Sequence, residues 1–91
     1  MAHLNKSSSQ LIARVRRIGG QIGAVERALE SDASCSEILQ LVAAVRGAIN
    51  GLMDEIIVEH LDEHVAAPGL REEARTQAAE ELKEVIRRYS K

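Results

Sequence analysis

One cysteine and three histidines hold the side chains best suited to metal or thiol chemistry in this 91-residue chain. His60 and His64 are four residues apart, one turn on a helix, so both imidazoles share a face and can chelate one ion. Glu59 and Glu63 sit beside them and either add oxygen ligands or stay solvated. Cys35 occupies a predicted helix N-terminus, which favours a thiolate, and a thiolate is both a nucleophile and a metal ligand. The blander readings are that a lone cysteine is a small buried hydrophobe and that histidines on a charged helix are incidental. His3 is a further donor, beside the amine that removal of Met1 would expose at Ala2. One sulfur with several imidazoles suits Ni(II), Co(II) or Zn(II), whereas Cu(I) prefers more sulfur. Cys35, His60 and His64 alone suit tetrahedral Zn(II). His3, the N-terminal amine or Glu63 would raise the coordination number to what Ni(II) and Co(II) accept.

Lys6, Arg14, Arg16 and Arg17 form the second group. Residues 1–25 contain these four bases and no acid, while the whole chain has a formal net charge of −2. A basic patch on an acidic protein suggests a localised polyanion contact. Arg14 and Arg17 are one turn apart and share a face with Gln10 and Gln21, whereas Arg16 points elsewhere. This face is either a solvated polar surface or a phosphate-tracking one, since arginine pairs with phosphate in a bidentate fork.

The elements that position these groups are helical. Residues 1–8, MAHLNKSS, read as a flexible arm. Leu11, Val15, Ile18, Ile22, Val25 and Leu29 step by four and three, predicting a first helix from about Ser9 to Leu29 with a heptad seam. Ser31-Asp32-Ala33 reads as a turn that reverses the chain. Ile38, Leu41, Val42, Val45, Ile49, Leu52, Ile56, Leu61 and Val65 then carry the helical period through a long proline-free stretch. Ser34 and Glu37 form a capping box, so this helix starts at Cys35, and Ala66-Ala67-Pro68-Gly69 ends it. It is about thirty residues, roughly 45 Å long. A third helix is expected from about Leu70 to Tyr89, its stripe made of Leu70, Ala74, Ala78, Leu82, Val85, Ile86 and Tyr89. The class is all-α: one helical domain over residues 1–91, a three-helix protomer with a long central helix.

Along a straight helix Cys35 lies about 37 Å from His60, so one helix cannot bring them to a shared ion. Two antiparallel copies can. Facing Cys35 with His60 and His64 centres the crossing near residues 47–50, where Gly47 and Gly51 stand among Ala43, Ala44 and Ala48. Small residues let backbones approach closely. The inference is a two-fold antiparallel dimer with two equivalent Cys–His–His sites between subunits. The near absence of aromatics, with one Tyr and no Phe or Trp, leaves a thin core that oligomerisation would supplement. No signal peptide or membrane span is visible, so the cytoplasm is the expected location. Nothing reads as a substrate pocket, a phosphate loop or an acid–base pair beyond the histidines, which argues against an enzyme.

RVRRIGGQI (14–22), Cys35, AAVRGAINGLM (43–53) and EHLDEH (59–64) together resemble the CsoR/RcnR/FrmR family of bacterial metal- and formaldehyde-responsive repressors, over nearly the whole chain. The resemblance implies dimers that pair into a disc-shaped homotetramer. It also implies operator DNA bound through basic residues without a helix-turn-helix, Arg14 and Arg17 matching the family's basic positions, and release of DNA on binding an effector. The copper branch resembles a Cys–His–Cys site, and His64 here replaces its second cysteine. The nickel/cobalt branch resembles this chain at His3, Cys35, His60, Glu63 and His64, which implies a repressor of metal export that responds to Ni(II) or Co(II). The formaldehyde branch shares Cys35 and often His60, and its N-terminal half is similar to RVRRI and ERALE here. It typically has Pro after the initiator Met and an acid at the position of His64, where this chain has Ala2 and His64. A formaldehyde response through Cys35 and the N-terminal amine is the alternative, with a Zn(II) response a second.

Overall fold

The computed structural model describes residues 8–89. Residues 1–7 of the expected arm, with Ala2, His3 and Lys6, lie outside them, and Ser8, expected as the arm's last residue, is the first of a helix. Three helices make up the described chain: α1 (Ser8–Glu30), α2 (Cys35–His64) and α3 (Glu72–Tyr89), and no strand is present among the described residues. The chain divides into two compact units that share α2. One holds α1 with α2 up to Met53; the other holds α2 from Asp54 with α3.

Each helix boundary has a local cause. α1 ends where Ser31 N–H donates to the Arg27 carbonyl (3.0 Å) and the Ser31 hydroxyl donates to Ala28 O (3.1 Å). These bonds occupy carbonyls that the helix end would leave without donors. α2 starts at Cys35 because Ser34 and Glu37 form the expected capping box: Glu37 N–H donates to Ser34 Oγ (3.1 Å), and Ser34 N–H donates to Glu37 Oε1 (3.4 Å). Its last turn closes with Val65 and Ala66 N–H both donating to Leu61 O. Pro68 then biases Ala67 away from helix.

α3 begins two residues later than its apolar pattern predicts. Gly69 takes a left-handed conformation (φ 81°), which costs a glycine little. Arg75 N–H donates to Arg71 O (2.9 Å), making Arg71 the residue that receives the first helical bond. Leu70 therefore belongs to the connection.

In the first unit Leu11 and Ile18 of α1 are buried together with Val45 of α2. The heptad seam splits into two columns. Leu11, Ile18 and Val25 turn inward, whereas Val15, Ile22 and Leu29 are 50%, 50% and 64% exposed. α2 repeats the division, with Ile38, Leu41, Val45 and Ala48 covered and Leu39, Val42 and Ile49 exposed. In the second unit Ala78 is the buried residue of α3 and Leu82 is half-buried. Ala74, Val85, Ile86 and Tyr89, expected in the same stripe, are exposed. The sequence encoded more apolar surface than one protomer can cover.

Ser34→Ala removes the side-chain acceptor at the start of α2 while Cys35 remains in place. The expected cost is about 1 kcal/mol, read as a lower denaturation midpoint with an unchanged urea m-value.

Candidate metal centre and nucleic-acid interface

His60 and His64 lie in the last two turns of α2, both half-buried, with ring centroids 5.0 Å apart and planes inclined at 48°. The i, i+4 spacing thus does what the sequence implied: it pairs the imidazoles. The Nε2 of His60 is 3.1 Å from the backbone carbonyl of Ala78 in α3. A carbonyl only accepts, so this contact requires Nε2 to carry the proton. In the neutral ring the lone pair is then on Nδ1. An imidazole that donates one N–H to a backbone carbonyl and offers its other nitrogen has the form of an oriented metal ligand.

Arg75 holds α3 where Ala78 can make this contact. Its guanidinium donates to the carbonyls of Val65 and, at 3.5 Å, Leu70, and Nε lies 3.9 Å from a Glu72 carboxylate oxygen. The first bond satisfies the carbonyl just past the C-terminal end of α2, where a cation is also favoured by the helix dipole, and the second a carbonyl of the connection before α3. Ala78 lies one turn beyond Arg75. The histidine ring is therefore oriented through backbone and an arginine that no ligand-spacing rule marks.

The remaining expected ligands are less complete. Glu63 is half-buried within the same turns. Cys35 is the first residue of α2, exposed, with a free thiol; the reading of it as a buried hydrophobe is overturned. His3 is outside the described residues. Among the described residues no group of three or more His, Cys, Asp or Glu side chains is arranged to hold a metal ion within one chain. The donors present nonetheless fit a borderline divalent ion: two adjacent imidazoles, one of them oriented by a carbonyl, and an accessible thiol elsewhere on the same helix.

The basic residues of α1 divide as their spacing implied. Arg14, Arg17 and Gln21 line one side of a cavity of about 240 Å³, facing Gly47, Ala48 and Gly51 of α2. Arg16 is exposed and is not part of this lining. Gly51 has a specific steric role, because a Cβ there would come within 3.2 Å of Arg14 Nη1. Gly47 and Gly51 were expected at a crossing of two α2 helices. Within the protomer Gly51 lies against Arg14 of α1, while Gly47 is exposed with open space where a Cβ would stand.

Over residues 7–88 the sequence matches the family model described as a metal-sensitive transcriptional repressor. It is 50% identical, over the full length of both chains, to an uncharacterised protein encoded in the bioA 5′ region of Serratia marcescens. It is 42% identical over 69 residues to a transcriptional repressor RcnR homolog of Escherichia coli O139:H28, covering 76% of this chain and 77% of that one. Among solved structures it resembles a glutamate-to-histidine variant of the formaldehyde-responsive regulator FrmR from Salmonella enterica serovar Typhimurium. That likeness has a TM-score of 0.88 and 42% identity, and covers 97% of this chain and 99% of the other.

Nitrogen-detected NMR of the metal-free protein, at a pH where the ring is neutral, should report His60 protonated at Nε2. In Arg75→Ala, α3 loses its tie to the end of α2, and the His60 ring should shift toward a mixture of tautomers. Wild type and Arg75→Ala both showing the Nδ1–H tautomer would remove the orienting role of Ala78.

Proposed function

The chain belongs to the family of metal-sensitive transcriptional repressors, and from that premise we propose that it releases its operator on binding Ni(II) or Co(II), derepressing metal export. The family is one of repressors, not enzymes, and its members act on operator DNA. The observation that carries the nickel/cobalt reading is the His60–His64 pair, with His60 Nε2 engaged by Ala78 O and Nδ1 left for a metal.

In this reading His60 and His64 supply two nitrogen ligands and Cys35 the sulfur. Cys35 comes from a second copy, in an antiparallel dimer that pairs again into a tetramer. Glu63, His3 and the N-terminal amine complete a coordination number above four, which separates Ni(II) and Co(II) from tetrahedral Zn(II). The exposed columns Val15–Ile22–Leu29 and Leu39–Val42–Ile49 support an assembly, because they are the apolar surface a partner would cover. Arg14 and Arg17, with Arg16 and Lys6, supply the phosphate contacts. The protein works in the cytoplasm, where operator and metal meet. Among the described residues no helix is long and apolar enough to cross a membrane.

Effector and DNA are then two ligands of one assembly with negative coupling: each lowers the affinity for the other by the same factor. The second reading is formaldehyde sensing through Cys35 and the N-terminal amine, favoured by the exposure of the thiol and by the likeness to a formaldehyde-responsive regulator. Its chemistry is condensation of one aldehyde carbon with thiol and amine, with loss of water.

Co(II) titrated into reduced protein should give thiolate charge-transfer absorption and weak d–d bands of a six-coordinate ion. The charge-transfer bands should be lost in Cys35→Ala and diminished in His64→Glu. Intense tetrahedral d–d bands would move the assignment to Zn(II). Absence of any thiolate band, with a 12-Da methylene bridge between Cys35 and the N-terminus after mild formaldehyde treatment, would establish the aldehyde reading instead.

A further inference from the structure

Apolar packing sets the register of α3 only weakly. Its buried residue is Ala78, whose side chain is a single methyl, and Leu82 one turn on is half-buried. Ala74, Val85, Ile86 and Tyr89 are exposed. A methyl resists sliding poorly, and a shift of one residue turns a helix face by about 100°. Such a shift would carry the Ala78 carbonyl away from His60 Nε2, which lies 3.1 Å from it. A directional restraint is needed, and Arg75 supplies one. Its guanidinium donates through Nη1 to Val65 O and through Nη2 to Leu70 O, so one planar fork gathers the end of α2 and the connection that leads into α3. The Arg75 side chain is 32% exposed, whereas that of Glu72 beside it is 86% exposed. The backbone carbonyls, rather than a solvent-screened ion pair, therefore hold the guanidinium.

We propose that Arg75 is a positioning residue of the metal centre: it sets the register of α3 that keeps Ala78 O on His60 Nε2, and thereby commits His60 to bind the effector through Nδ1. The inference rests on the metal reading and deepens it, naming a residue that is no ligand yet sets the affinity. In a loose ring either nitrogen carries the proton, and part of the population presents an N–H where a lone pair is needed. With Nε2–H held by a carbonyl, the lone pair is in place on Nδ1 before the ion arrives. The bond also gains on binding, because a cation on Nδ1 draws electron density from the ring and makes Nε2–H a stronger donor. By reciprocity, an ion that prefers the registered form also stabilises α3 in that register.

The test uses the full-length protein, with Co(II) as the probe and affinity read by competition with a chelator. Arg75→Ala should weaken Co(II) binding about tenfold or more, the usual cost of losing an outer hydrogen bond to a ligand histidine. Glu72→Gln should leave it unchanged. In a His60→Ala background Arg75→Ala should cause no further loss, because its effect runs through that ring. Arg75→Lys keeps the charge without the planar fork. Its loss should fall between, and it is the second variant should Arg75→Ala fail to fold by circular dichroism. Proton NMR of the Co(II)-loaded protein gives a signature that a general loosening would not. An exchangeable, hyperfine-shifted Nε2–H resonance should be present in the wild type, absent from His60→Ala, and lost to fast solvent exchange in Arg75→Ala. Wild-type affinity with an equally protected resonance in Arg75→Ala would overturn the inference and leave the metal reading standing. An equal loss from Arg75→Ala with and without His60 would reduce Arg75 to a structural residue and overturn it as well. A wild type that binds no Co(II), or whose affinity His60→Ala leaves unchanged, removes the metal reading itself, and the inference falls with it.

Discussion

The fold depends on how little apolar surface a three-helix chain can bury by itself. Leu11, Ile18 and Val45 are the buried side chains of the first unit, and Ala78 is that of the second. Around them stand large apolar residues at a third to two thirds exposure. At roughly 25 cal/mol per Å² of apolar surface removed from water, covering these residues further would add hydrophobic stabilisation that one protomer forgoes. The helix ends are accordingly fixed by polar devices: the Ser34–Glu37 box, the Ser31 hydroxyl on Ala28 O, and the Arg75 fork on Val65 and Leu70 carbonyls. Each sets where a helix starts or stops and thereby where a candidate ligand stands. Cys35 is the first residue of α2 because of the box, and Ala78 meets His60 because Arg75 ties the start of α3 to the end of α2.

The same arrangement ties chemistry to backbone. His60 is oriented by a main-chain carbonyl, an acceptor that no substitution at residue 78 removes. What can change is the position of the helix that carries it. The orientation of the imidazole is thus a report on α3, which is held by the packing of Ala78 and Leu82 and by the bonds of Arg75. Arg14 also approaches Gly51 closely: an added Cβ would stand 3.2 Å from its Nη1, so the guanidinium would have to give way slightly.

Much of this was legible in the sequence where the signal is local. The start of α2 at Cys35 followed from two residues three apart, and the pairing of His60 with His64 followed from helical spacing alone. The shared face of Arg14, Arg17 and Gln21 was legible for the same reason, although Gln10, expected with them, is exposed and outside that lining. Alternating steps of three and four on α1 announced an apolar stripe, but they carry no information on how many neighbours share it. Leu11 and Val15 are therefore indistinguishable until packing divides them. The late start of α3 was hidden because Leu70 fits the apolar period, while Gly69's left-handed backbone and the bond to Arg71 decide the boundary. The Ala78 carbonyl is invisible to any residue-type reading, since every residue has one. Of the two glycines expected at a close approach, Gly51 has Arg14 against it within the protomer, whereas the space over Gly47 is open; the crossing of two α2 helices expected there concerns a second copy.

The exposed columns on α1 and α2 also bear on the lifetime of a single copy. A newly made chain that has not met a partner displays Val15, Ile22, Leu29, Leu39, Val42 and Ile49 to its surroundings, the kind of surface that chaperones and proteases recognise. Orphan protomers would be cleared faster than assembled ones. The amount of repressor would then rise more steeply than its rate of synthesis, giving the operator a threshold set by subunit encounter as well as by effector.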